Sequence, residues 1–121
     1  MTIELIEING ICLAEIVSEN IVLGNTQDAV DLIANCNFQG ADGIILREEN
    51  VIESFFDLKT KVAGDMLQKF SSYQSRLAIV GDFARFPGNS LRDFIRESNK
   101  MGRINFVDTL DEAKNCLIKK K

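Results

Sequence analysis

The stretch FFDLKTKVAGDMLQKF, residues 55–70, carries the strongest helical pattern in the chain. Its apolar residues recur every four positions and share one side of a helix: Leu58, Val62, Met66 and Phe70, with Leu67 beside them. Asp57 stands where a helix N-cap is expected, with Lys59 and Thr60 in the first turn. The stretch therefore predicts a helix packed against a core, with a polar entrance at the surface.

Two isoleucine-rich runs open the chain, at residues 2–7 and 11–17, and Asn9-Gly10 lies between them. This dipeptide supplies the positive φ values that a two-residue hairpin turn needs, so the runs are predicted to pair as antiparallel strands. Three later runs are uniformly apolar, which is typical of strands covered on both faces of a sheet. They lie at residues 43–46, 76–80 and 104–107.

Polar capping residues precede each predicted helix. They are Asn25 or Thr26 for the first helix, Asp57 for the second, Ser90 with Asp93 for the third, and Thr109 with Glu112 for the fourth. Asn50 with Glu53 has the same spacing and predicts a short turn before the second helix, and Gly102 is expected to end the third.

The predicted elements follow the order ββαβαβαβα. Helical crossovers join parallel strands, whereas the opening hairpin is antiparallel. The sequence therefore predicts an α/β fold with a five-stranded mixed sheet and about four helices, in a single domain over residues 1–121.

The net charge of −4 limits the classes of partner. An acidic protein repels nucleic acid unless it carries a local basic patch, and the basic run Lys119 to Lys121 is interpreted as the solvated end of the last helix. No run of about eighteen apolar residues is present, and the N-terminus lacks the pattern of a signal peptide. We therefore expect a cytoplasmic protein that binds neither nucleic acid nor membranes.

Histidine is absent, which excludes Ser-His-Asp and Cys-His catalysis by this chain alone. Cys12, Cys36 and Cys116 are widely spaced among apolar neighbours, so they are interpreted as core residues and not as disulfides or zinc ligands. The acidic pairs Glu48-Glu49 and Asp111-Glu112 point in different directions on any regular element and predict solvated turns. The sequence predicts no catalytic group, no metal and no cofactor.

Candidate binding residues gather where the predicted strands end. In α/β sheets the loops at the carboxyl ends of the strands commonly carry function, and Asp57, Lys59, Thr60, Asp82 and Arg92 are predicted to lie there. Free N–H groups at a helix start, together with Lys59 and Arg92, would attract an anion such as phosphate or carboxylate. The alternative is that Asp57 only caps its helix and that the two basic side chains are solvated.

The run INFVDTLDEA, residues 104–113, together with the order of elements, resembles the C-terminal half of STAS domains, the anti-sigma-factor antagonist family. In that family a mid-chain Asp-Ser-Ser/Thr-Gly motif carries a serine or threonine that a partner kinase phosphorylates. The stretch FDLKT, residues 56–60, overlies that motif, with Leu58 and Lys59 in place of the small hydroxyl residues. The resemblance implies a STAS-like fold and phosphorylation at Thr60.

A second resemblance covers nearly the whole chain. The strings ANCNFQGAD, FFDLKTKVAGDMLQKFSSY, LAIVGDF and SLRDFIRESN are similar to a small bacterial domain-of-unknown-function family, number 4180. This resemblance implies one folded unit and brings no activity with it.

The sequence supports one leading hypothesis and two alternatives. The leading hypothesis is a non-enzymatic regulatory or protein-interaction module that contacts a protein partner through residues 57–64 and 83–87. The first alternative is a protein that binds, or acts enzymatically on, a small anionic ligand through Asp57, Lys59 and Arg92. The second is a homodimer formed through hairpin edges or apolar helix faces.

Overall fold

The alternation of apolar runs with amphipathic helices produces the predicted α/β architecture in a computed structural model, which describes residues 1–119. The elements are β1 (Thr2–Ile8), β2 (Ile11–Val17), α1 (Thr26–Phe38), β3 (Gly43–Arg47), α2 (Val62–Ser72), β4 (Arg76–Val80), α3 (Asn89–Met101), β5 (Ile104–Val107) and α4 (Leu110–Ile118). None of the described helices is long and apolar enough to cross a membrane. Lys120 and Lys121, which belong to the predicted solvated helix end, lie outside the described residues.

The strands lie in the sheet in their order along the chain, from β1 at one edge to β5 at the other. β1 and β2 are antiparallel across the turn of Asn9 and Gly10, whose φ angles are 53° and 79°. All other neighbouring strands are parallel. The five-stranded mixed sheet, the four helices and the order ββαβαβαβα are therefore confirmed.

Two apolar clusters cover the two faces of the sheet. The larger cluster packs α1, α2 and α3 against strand residues that include Ile44 and Leu77. The smaller cluster packs Ala113 and Leu117 of α4 against the opposite face. Three helices share one face because consecutive parallel strands step across the sheet in one direction, and right-handed crossovers then all fall on the same side.

Arg76 links α4 to the rest of the fold. Its guanidinium donates hydrogen bonds to the carbonyl oxygens of Cys116, Leu117 and Lys119, at 2.7, 3.2 and 2.8 Å. It also donates to the carbonyl oxygen of Gly102, which ends α3 in the predicted left-handed conformation. The last carbonyl groups of a helix have no partner within the helix, so a cation placed there satisfies them and complements the helix dipole.

The start of α2 differs from the prediction. Asp57 does not cap this helix, because Lys61 has a left-handed φ of 65° and separates α2 from a short 3-10 helix at Leu58–Thr60. Asp57 caps the short helix instead, accepting a hydrogen bond from the Lys59 N–H at 3.2 Å. α2 then begins at Val62.

The start of α3 also differs from the prediction. Gly88, with a φ of 101°, is the N-cap residue, so α3 begins at Asn89 and Ser90 does not cap it. The predicted caps of α1 and α4 are confirmed, since the side chains of Asn25 and Thr109 accept hydrogen bonds from first-turn N–H groups at 2.9 and 3.1 Å. A glycine N-cap leaves the first turn of α3 without a side-chain partner.

The predicted apolar side of α2 is confirmed for Met66 and Phe70, which are fully buried. Val62 and Leu67 are half-buried against the same cluster. Leu58 packs there as well, although it precedes the helix. The four-residue spacing therefore identified the buried side correctly but extended the helix one turn too far.

Cys36 has the core position that its apolar neighbours predict. It is fully buried, whereas Cys12 and Cys116 are half-buried, and all three thiols are free. Burial disfavours the thiolate and raises the pKa of the Cys36 thiol to about 11. Cys36 therefore stays protonated at neutral pH and packs as a small apolar residue.

Candidate functional site

β3 and β4 end side by side, with Arg47 paired to Val80, and each strand continues into a loop at that edge. The first loop contains three short 3-10 helices and the second contains one. We call residues 48–61 and 81–92 the rim, because they hold the candidate binding residues and surround the carboxyl ends of these two strands.

Asn50 anchors the first loop of the rim. It is fully buried, and its side chain accepts a hydrogen bond from the Arg47 N–H at 3.1 Å. The same side chain donates to the carbonyl oxygens of Ser18 and Asn20 at 2.9 and 3.0 Å. The predicted capping box of Asn50 with Glu53 is wrong, because the Asn50 amide is used across the fold by residues far away in the sequence.

Glu48 joins the two loops of the rim. Its carboxylate accepts a hydrogen bond from the Asp82 N–H at 3.1 Å and forms an ion pair with Arg85. The side chain is 14% exposed, and it lies directly against Gly81, where an added Cβ would be 2.6 Å from the Glu48 Cβ. The prediction that Glu48-Glu49 forms a solvated turn is therefore wrong for Glu48.

Phenylalanine rings connect the rim to the core. The rings in contact are Phe55, Phe56, Phe83, Phe86, Phe94 and Phe106. Phe86 stacks on Phe56 with a centroid distance of 4.7 Å, and the Arg85 guanidinium lies 4.1 Å from the Phe86 centroid. Phe83 and Phe86 are half-buried, so they cover the core and also leave part of their surface at the rim.

Open clefts surround this aromatic stack. One of about 400 Å³ is lined by Asp57 and Lys59 together with Ser90 at the start of α3. A second of about 220 Å³ is lined by Arg92 and by the rings of Phe83 and Phe86, and it shares Gly88 and Leu91 with the first. The structure therefore brings Asp57 and Lys59 into one cleft and Arg92 into the adjoining one.

Thr60 and Asp82, the other two candidate residues, bond to the backbone. The Thr60 hydroxyl lies 2.7 Å from the Ser54 carbonyl oxygen and 2.8 Å from that of Asp57. The Asp82 carboxylate caps the 3-10 helix that follows it. Within residues 1–119, no group of three or more cysteine or acidic side chains is placed to hold a metal ion.

Glu48, Asn50 and Gly81 shape the rim, yet the sequence does not indicate their roles. Apart from the Arg47 N–H that Asn50 accepts, their partners lie 30 or more positions away, so no local pattern reveals these long-range contacts. The only local signal is Gly81 at the end of an apolar strand, since a glycine there often marks the close approach of another chain segment.

The clefts of the rim are lined by apolar residues together with charged side chains of both signs. The rim's carboxylates at positions 48, 57 and 82 accept hydrogen bonds from backbone or guanidinium groups. Carboxylates that accept these hydrogen bonds hold the loops in position and line the surface of the rim.

Comparison with known protein families agrees with the resemblance drawn from the strings of the sequence. The sequence profile of a domain of unknown function (DUF4180) matches residues 8–117, which include both loops of the rim. No curated protein and no solved structure matches the chain. The matched segment covers most of the chain, and the protein therefore belongs to the DUF4180 family.

Proposed function

We propose that the protein is a non-enzymatic regulatory module that binds a protein partner through the rim. The observation that carries the proposal is the stack of Phe56 and Phe86 beside open clefts, with the Arg85 guanidinium over the Phe86 ring. Rings and guanidinium groups with fixed positions are the usual anchors of protein interfaces, because they bury much area at little cost in conformational entropy.

The shape of the rim favours a protein partner over a small molecule. Small-molecule sites enclose most of the surface of their ligand, whereas the clefts at the rim are open and adjoin one another. Asp57 and Lys59 line the first cleft and Arg92 lines the second, so charges of both signs accompany the apolar residues. A partner with an apolar anchor and flanking charged side chains would complement this surface.

We extend the proposal to a STAS-like switch controlled at Thr60. The residue precedes Lys61, the N-cap residue of α2, and lies between Lys59 and Lys61. A phosphate there would gain from the helix N-terminus and the two lysines, and it would remove the hydroxyl proton that the carbonyls of Ser54 and Asp57 accept. Phosphorylation would therefore rearrange residues 57–61 at the edge of the first cleft.

Protein isolated from its native cell is expected to carry phosphate on Thr60. Peptide mass spectrometry measures this directly, and a Thr60→Ala variant expressed in the same cell is the control that must lose the modified peptide. Phosphate found only at other positions would contradict the STAS-like part of the proposal.

One observation favours the alternative of a small anionic ligand. The first turn of α3 has no side-chain cap and begins in the same cleft that Lys59 lines, so its N–H groups are available to an anion. The Asp57 carboxylate lines this cleft too and would repel an anion. We therefore prefer the protein partner.

Charge reversal at Arg92 is expected to weaken partner binding at least about tenfold, because a carboxylate would replace a cation at the margin of the aromatic clefts. The measurement is copurification from the native host, followed by titration of the partner recovered with the unmodified protein. The matched control is Lys100→Glu, which reverses an exposed charge near the other end of α3.

If Arg92→Glu and Lys100→Glu weaken binding of the partner equally, the proposal that the rim is the binding surface is contradicted. Titration with inorganic phosphate, followed by NMR of the amides of residues 89–91, separates the two candidate functions. Saturable shifts at those amides, in a protein that copurifies with no partner, would favour the anionic ligand.

A further inference from the structure

β1 is an edge strand, and no strand among residues 1–119 pairs with the backbone groups along its outer side. The turn of Asn9 and Gly10 closes on Ile8 and Ile11, and in a two-residue hairpin the closing pair exchanges hydrogen bonds. Residue pairs that exchange backbone hydrogen bonds then alternate along the hairpin with pairs that do not. The non-bonded pairs are Ile3 with Ile16, Leu5 with Ala14, and Glu7 with Cys12.

Cys12 provides an independent check of this alternation. Its N–H donates to the Asp42 carboxylate at 3.0 Å, and its carbonyl oxygen accepts from the Asp42 N–H at 2.6 Å. Both groups of Cys12 are thus used on the side away from β1. The N–H and C=O groups of Ile3, Leu5 and Glu7 consequently point outward from the sheet edge.

This edge carries only one of the usual features that prevent strand pairing, the charged side chains of Glu4 and Glu7. Edge strands are commonly short, or carry proline, lysine or a bulge, but β1 pairs with β2 through seven residues without interruption and contains neither residue type. The opposite edge strand, β5, has four residues. An exposed apolar side chain also lies on β1 itself, Leu5 at 48% exposure, and Met1, just before the strand, is 63% exposed.

We propose that two copies of the chain associate by antiparallel pairing of β1 with the partner's β1, around a twofold axis at Leu5. In this register the outward groups of Ile3, Leu5 and Glu7 face those of the partner's Glu7, Leu5 and Ile3. Each of these pairs exchanges two hydrogen bonds, and the two Leu5 side chains meet on one face of the sheet. Registers centred on Glu4 or Glu7 place two carboxylates opposite each other and are disfavoured.

The dimer forms one continuous sheet and leaves both rims open. The two sheets run in opposite directions across the axis, so the two rims lie at opposite ends of the dimer. Dimerisation is therefore independent of the partner proposed for the rim. Edge pairing buries less area than a standard interface, so we expect a dissociation constant on the order of 10 to 100 μM.

Sedimentation equilibrium of the full chain, from roughly 5 to 500 μM, tests the proposal. The unmodified protein is expected to change from monomer to dimer across this range. Leu5→Pro removes one outward N–H without removing a bond to β2, and Leu5→Lys places two cations together at the axis. Each variant is expected to raise the dissociation constant at least about tenfold while the circular dichroism spectrum stays the same.

Phe38→Lys is the control, because Phe38 is 91% exposed at the end of α1 and is not part of the edge strand. It is expected to leave the dissociation constant unchanged. If Leu5→Pro does not fold, Leu5→Lys decides the outcome. A protein that stays monomeric throughout, a dimer that Leu5→Lys leaves intact, or a dimer that Phe38→Lys breaks would overturn the proposal.

Discussion

Replacement of Asn50 by alanine is expected to lower the free energy of unfolding by about 3 to 4 kcal/mol. The side chain is fully buried and satisfies the Arg47 N–H and the carbonyl oxygens of Ser18 and Asn20. Alanine leaves these groups without partners inside the fold, and each unpaired buried polar group costs about 1 to 3 kcal/mol. Water that enters the vacated space would recover part of this cost. The effect exceeds that of losing a typical hydrogen bond because three partners are lost together.

Urea unfolding followed by circular dichroism measures this change. Asn115→Ala, at an exposed position of α4, is the matched control and is expected to stay within about 0.5 kcal/mol of the unmodified protein. If Asn50→Ala lowers the free energy of unfolding by less than about 1 kcal/mol, the amide does not hold residues 18–23 in place as its hydrogen bonds indicate.

The Asn50→Asp variant adds a dependence on pH that the alanine variant lacks. A carboxylate at this buried position would face two carbonyl oxygens, so its pKa in the folded state should lie above its unfolded value. A raised pKa means that the stabilising, protonated form is lost as the pH rises through that pKa. Relative to the unmodified protein, Asn50→Asp is therefore expected to be more destabilised at pH 7 than at pH 4.

The fold could be predicted because its signals are local. The Asn9-Gly10 turn, the uniform strands and the caps at Asn25 and Thr109 each lie within a few residues of the element they define. The crossover rule then converts the element order into a mixed sheet. The predicted start of α2 was wrong because Lys61 adopts a left-handed conformation, which glycine and asparagine favour far more than lysine.

The rim could be predicted only in outline. The position of Asp57, Lys59 and Arg92 near the strand ends follows from topology, and the clefts contain them. The groups that shape those clefts interact over long distances in sequence, as Glu48 does with Asp82 and Arg85. Acidic pairs and turn asparagines are usually solvated, so the burial of Asn50 and the partial burial of Glu48 become evident only when the chain is folded.

Gly81→Ala is expected to lower the free energy of unfolding by about 2 to 3 kcal/mol and to weaken partner binding at the rim. The added Cβ would lie 2.6 Å from the Glu48 Cβ, a distance that requires one of the two backbones to move. That movement would separate Glu48 from the Asp82 N–H and from Arg85. Because Arg85 packs on Phe86, the displacement would reach the aromatic stack.

The new methyl group would meet two Glu48 atoms at the same distance, Cβ and Oε1, and these identify the control variants. Glu48→Ala removes Oε1 but keeps the Cβ, which lies equally close to the methyl group added at position 81, so it should relieve only part of the destabilisation. Glu48→Gly removes that atom as well, and its combination with Gly81→Ala is expected to be more stable than the sum of the two single effects by at least about 1 kcal/mol. Two results together would contradict this role of Glu48. The first is that the effects of Glu48→Gly and Gly81→Ala on the free energy of unfolding simply add. The second is that Gly81→Ala changes neither the NMR shifts of the Phe86 ring nor the affinity for the partner, which would show that Glu48 does not connect the second loop of the rim to the first.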